Sequence, residues 1–192
     1  MIEDVVNRAS QELRCTDQLN RSVGIKLDNA AYMGVRKLYT DQIANTVSKS
    51  IKAGSILTIE ETGDTFIVGT LTTDYFKGRF IRNVIDLLET NNKVTVTRIV
   101  HTPSPQGGVG TTAETVIHTD IPVKIWNISL KTDKKNDSTV EQMGMLISIL
   151  YPVKHGDQLT FDSYYETAKV EGIKHNFEGF FEVVFDKDPR WM

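Results

Sequence analysis

The residues of this sequence that are able to do chemistry are few and far apart. Cys15 is the one cysteine, and a nucleophilic thiol needs a base that no local spacing supplies, so an inert buried thiol is expected. His101, His118, His155 and His175 stand singly. None has a second histidine, a cysteine or a carboxylate at the spacing of a metal site, so surface imidazoles and no metal are expected. Glu60 and Glu61 are neighbours, and on a strand they point to opposite faces and cannot converge on one substrate. A Gly-x-Ser-x-Gly elbow, a phosphate loop and a dinucleotide fingerprint are all missing; Gly107-Gly108-Val109-Gly110 comes nearest but lacks the lysine and the strand-to-helix setting. Tyr75-Phe76-Lys77-Gly78-Arg79-Phe80-Ile81-Arg82 has the mixed cationic and aromatic character of a groove for single-stranded nucleic acid. Its hydrophobes are read here as core. No catalytic residue and no cofactor are expected, which favours a protein that binds macromolecules over an enzyme.

Composition points the same way. The 192 residues suffice for one large domain or two small ones, and 40% hydrophobic with 24% charged residues is ordinary for a globular chain. Lys and Arg total 22 against 25 Asp and Glu, a formal charge of −3, which does not suit a surface built to clamp phosphates. Met1-Ile2-Glu3-Asp4 lacks the basic start of a secretory signal, and no apolar run approaches the ~18 residues of a membrane span, so neither export nor membrane insertion is expected. A single cysteine fits synthesis in a reducing cytoplasm.

The elements that must position these residues are mostly strands. Ile2, Val5, Val6, Ala9 and Leu13 recur at helical spacing, which predicts an N-terminal amphipathic helix over residues 2–14. Val23 and Ile25 suggest a short strand, whereas residues 39–52 fit neither period. Residues 55–69 read as a hairpin turning at Gly63. Phe80, Ile81, Val84, Ile85 and Leu88 have helical spacing with a β-branched content that also allows a strand. Strands are expected from Val94 to Ile99, Val116 to Leu130, Met143 to Val153, Leu159 to Phe161, Tyr165 to Ile173 and Phe177 to Phe185. Residues 102–113, with two prolines and three glycines, read as a long mobile loop, either a spacer or a functional segment.

The chain also echoes itself. Lys52 falls on Lys154, Gly54 on Gly156, Leu57-Thr58-Ile59 on Leu159-Thr160-Phe161, and Val68 on Val170, an offset of 102 residues throughout. One β-hairpin module is thus expected twice. The fold class is mainly β, with two small β-barrel or sandwich-like modules behind the N-terminal helix, divided as residues 1–93 and 94–192.

Tyr151-Pro-Val-Lys-His-Gly156-Asp157-Gln-Leu159-Thr-Phe161, the nearby Tyr164 and Tyr165, and Val170-Glu-Gly-Ile173 resemble the closing segment of head–tail joining proteins of long-tailed bacteriophages. Pro122-Val-Lys124-Ile125-Trp126 and Glu141-Gln142 fall where that family has a cation in an apolar strand and a Glu-Gln pair. The likeness spans about residues 94–186. It departs from the family in Lys124, where arginine is usual, and in the size of the N-terminal half. The resemblance implies a virion structural protein of the neck, a head-closure (stopper) or connector protein. It would form a homo-oligomeric ring, a hexamer in preference to a dodecamer, between portal-bound adaptor and tail proteins. Double-stranded DNA would pass through its lumen without specific binding. Gly156, Asp157, Leu159 and Tyr165 would be the family-like hairpin. Pro103, Pro105, Gln106, Gly107, Gly108, Val109 and Gly110 would be a channel or docking loop. A tail-terminator or tail-completion protein and a β-barrel nucleic-acid-binding module are the alternatives.

Overall fold

The computed structural model describes residues 12–27, 42–102, 111–133, 138–162, 167–174 and 178–186, and for 12, 111, 127–133 and 138–142 it defines the strands alone. The expected N-terminal helix lies outside these residues, apart from its last few positions. Those belong to a strand, because Glu12–Asp17 pairs with Ser22–Leu27 across a tight turn. All described regular structure is β. In chain order the first barrel holds β1 (Glu12–Asp17), β2 (Ser22–Leu27), β3 (Gln42–Thr46), β4 (Ile56–Ile59), β5 (Thr65–Phe76) and β6 (Arg79–Glu89). The second holds β7 (Asn92–Thr102), β8 (Thr111–Asp133), β9 (Ser138–Ser148), β10 (Gln158–Phe161), β11 (Thr167–Lys174) and β12 (Phe180–Asp186).

Each set closes into a six-stranded barrel with the same strand order, β1-β2-β3-β6-β5-β4 and β7-β8-β9-β12-β11-β10. A barrel is two three-stranded meanders joined along both edges, β1 to β4 and β3 to β6 in the first. Closure satisfies the edge backbone groups that an open sheet would expose. Alternation puts one face inside: Cys15, Val23, Ile25, Leu57, Val68, Ile85 and Leu87 fill the first barrel, and Val94, Val96, Ile121, Val123, Leu159 and Val170 fill the second with Met145 and Phe185. Each such Leu, Ile or Val contributes ~1.5–3 kcal/mol by leaving water.

The offset-102 echo has the same backbone in both places. Ile56 pairs with Ile67 and Thr58 with Thr65; Gln158 pairs with Lys169 and Thr160 with Thr167. Gly54 and Gly156 both take a left-handed φ, +86° and +85°. Each donates its N–H to the valine of the returning strand, Val68 or Val170, whose own N–H bonds back to the carbonyl of Ser55 or Asp157. The returning strand slips register just beyond that valine in both barrels. Equivalence therefore extends over the whole six-strand unit, not the hairpin alone.

Several local expectations give way to pairing. Phe80 to Leu88 is strand β6, because both of its neighbours, β3 and β5, hydrogen-bond to it and fix the extended form over the helical spacing. Glu60 and Glu61 sit in the turn after β4, not on a strand. Strand β9 stops at Ser148, and Val153 is buried beyond it in irregular backbone. The unit built on the first barrel also includes Ser148–Leu150 and a second late segment ending at Phe180. There Ser148 Oγ donates to the Gly54 carbonyl, and the Ile149 N–H to that of Gly179.

Candidate functional site

The residues singled out from the sequence separate into two groups. Gly156, Asp157 and Leu159 are structural parts of the second barrel. Leu159 is fully buried, and Gly156 makes the turn into β10. Asp157, with a side chain 2% exposed, accepts two hydrogen bonds from the Arg98 guanidinium, both at 2.7 Å, and one from the Lys154 N–H at 2.7 Å. These bonds fasten β7 to the turn before β10, and they hold the Arg98 proton more tightly than usual despite partial burial. Tyr165 and the loop residues Pro103, Pro105, Gln106, Gly107, Gly108, Val109 and Gly110 lie outside the described residues. Lys124 is half-buried opposite Leu146 on β8.

Cys15 is enclosed in the first barrel, where burial and then the Glu60 carboxylate push its thiol up to about 11, so it stays protonated at neutral pH. His155 is well exposed, 3.9 Å from Glu171. His118 departs from the expected surface imidazole: it is half-buried, its ring stands edge-on to Tyr151 at 5.4 Å, and its Nε2 has no hydrogen-bond partner among the described residues. Among the described residues no group of three or more His, Cys, Asp or Glu is placed to hold a metal ion.

What the barrels leave outside themselves is more informative. Strands β5 and β6 run past the first barrel as a hairpin arm from about Thr73 to Arg82, closed by Lys77 and Gly78 with φ of +49° and +74°. Two positive φ values in a two-residue loop give a turn whose twist matches the strands. On the arm Tyr75 is 67% exposed, Phe76 62% and Ile81 48%. They were read from the sequence as core, and the reason they are not is register: the barrel wall takes β5 only through its first half, and the rest projects. Tyr75 stands edge-on to Phe80 at 6.5 Å, Lys77 Nζ lies 5.5 Å from the Phe76 ring, and Lys49 Nζ lies 5.0 Å from the Phe80 ring. Arg82 pairs with Asp74 at 2.9 Å. The base of the arm is fixed by Asn83, which donates to the Ser48 carbonyl and accepts from Thr73, next to an exposed Val47. The sequence carried a signal for this tip, an X-Gly pair between two β-rich runs.

A second arm is made by β7 and β8, which stay paired from the barrel to Thr102 and Thr111. Ile99, Val100 and Val116 are exposed on it. The described pairing of β10 with β7 ends at Thr97, so the outer edge of β7 beyond that point has no partner strand among the described residues. Later β8 pairs with β9 as far as Asp133 and Ser138, a third long hairpin.

Fold and arms together define a duplicated six-stranded barrel protein with projecting hairpins that carry apolar side chains. No protein family, curated protein or solved structure matches the chain.

Proposed function

We propose that the chain is a non-enzymatic virion structural protein that closes into a ring in the neck of a long-tailed bacteriophage, connects the DNA-filled head to the tail and gates the DNA channel. The observation that carries the assembly part is the pair of hairpin arms. The barrels satisfy their own edges, yet the arms present Tyr75, Phe76, Ile81, Ile99, Val100 and Val116 to solvent on two-stranded ribbons. An isolated ribbon of this kind is marginally stable and gains most from a partner. The phage assignment rests on the resemblance of residues 94–186 to head–tail joining proteins. A tail terminator, which differs from a stopper in its partners, is the alternative station. Made in the host cytoplasm, the protein would act in the virion. A nucleic-acid-binding module is a second reading, favoured by the exposure of Tyr75 and Phe76 beside Lys77 and Arg79.

The test is the mass of the particle that the purified chain forms, measured by light scattering or mass photometry across a concentration series. A closed ring of defined stoichiometry is expected. A monomer at all concentrations would reject the ring.

A further inference from the structure

We infer that copies of this chain join head to tail, the β5–β6 arm tip of one docking on the acidic β4–β5 turn of the next. The inference rests on the ring reading and names the surfaces that build it. At the arm tip, Lys77 and Arg79 have no carboxylate partner among the described residues, and Lys49 lies at the arm's base over Phe80. With the exposed Tyr75, Phe76 and Ile81 they make an apolar tip with a cationic rim. At the other end of the same strand is the turn Glu60-Glu61-Thr62-Gly63-Asp64, all exposed. Glu60 accepts a hydrogen bond from Thr16, and Asp64 one from Thr62 at 2.6 Å. Arg14, whose carbonyl receives the Glu60 N–H, is the neighbouring cation and offsets part of the charge.

Strand β5 starts one residue after this turn and ends at the tip, so its 12 residues hold the two surfaces roughly 35 Å apart. One copy cannot bring them together. Opposite charge at opposite ends of one strand gives a contact that is heterologous, with a different surface on each partner. Repeated with a closing rotation, such a contact generates a ring, and without one a filament. The same charges repel tip from tip and turn from turn, which suppresses a two-fold dimer. Aromatic side chains at the tip supply the buried area, and the charges select the register.

The experiment uses the full chain and three variants whose β circular dichroism is first matched to the wild type. In K77E/R79E the tip is acidic; in E60K/E61K the turn is basic; the third variant carries all four changes. Each single-site reversal is expected to raise the concentration of half-assembly by roughly tenfold or more, and the combined reversal to bring it back towards the wild-type value. Recovery in the combined variant is the decisive outcome, since a residue that merely supports its own hairpin would not be rescued from the other end of the strand. If the wild type forms rings and both reversals leave them unchanged, this interface is wrong and the ring reading stands. Loss in the reversals without recovery in the combination overturns the pairing of these two surfaces. A monomeric wild type overturns both. Salt-sensitive binding of an oligonucleotide that requires Lys77 and Arg79, in place of self-association, would also overturn the pairing and assign the tip to nucleic acid.

Discussion

Gly54 and Gly156 show how far equivalence between the two barrels goes at the scale of a residue. Both adopt φ near +85°, where an L side chain costs about 1–2 kcal/mol. Their surroundings differ. A Cβ at Gly54 would stand 2.6 Å from Ile149 Cγ1 and 3.1 Å from the Gly179 carbonyl oxygen, whereas at Gly156 the nearest atom is Lys169 Cε at 3.8 Å. Gly54→Ala is therefore expected to add an overpacking cost of about 1–3 kcal/mol that Gly156→Ala does not have. Amide hydrogen exchange reads this barrel by barrel: protection across β4 and β5 should drop further in Gly54→Ala than protection across β10 and β11 does in Gly156→Ala. Equal losses would show that Ile149 and Gly179 yield freely. Asp17 is a second example of local chemistry setting a turn. Burial opposes its ionisation, but the Arg21 side chain and the Arg21 and Leu19 N–H groups outweigh this and hold its carboxyl below the usual carboxylate range.

Among the elements, β7 has the heaviest duties, since it closes the second barrel against β10 and continues outward as an arm. Arg98 stands at that junction, with a side chain 26% exposed, paired to a carboxylate that is almost completely enclosed. Removing one partner of such a pair leaves a buried charge uncompensated, at a cost of about 3–5 kcal/mol at full burial and less here because water reaches the arginine. Arg98→Met should destabilise the second barrel strongly. Arg98→Met with Asp157→Asn should cost less than the two changes added, with a coupling of about 1–3 kcal/mol. Urea unfolding followed by exchange in β10 and β11 gives the cycle. Additivity would mean that the Lys154 N–H alone satisfies Asp157 and that the arginine is dispensable. The pair was not legible in the sequence, where 59 positions separate its members.

For the whole molecule the net charge of −3 is the governing quantity. In the proposed ring, a lumen crossed by DNA would need few phosphate contacts, because each neutralised phosphate adds a salt-dependent hold on the strand. The isolated protein is expected to bind double-stranded DNA weakly or undetectably, with little response to salt, in a fluorescence titration at low ionic strength. Sub-micromolar affinity that falls steeply with added salt would favour the nucleic-acid module over the neck ring. A local cluster at the β5–β6 tip does not contradict this, since Lys77 and Arg79 are few against the acidic remainder.

Much of the architecture was present in the order of residue types. Alternation of apolar positions implied the strands, Gly63 implied a turn, and the recurrence of Gly54 and Leu57 as Gly156 and Leu159 implied one hairpin used twice, because side-chain period and left-handed glycines are properties of a local stretch of chain. Closure and protrusion were decided elsewhere. Phe80 to Leu88 reads equally as helix or strand until β3 and β5 flank it. Tyr75 and Phe76 look like core until the barrel wall ends before reaching them. Arg98 and Asp157 have no relation until the second barrel closes. Hydrophobicity states that a side chain gains by leaving water; which surface covers it, in this chain or in another, depends on contacts between residues distant in sequence, and these exist only once the sheet has closed.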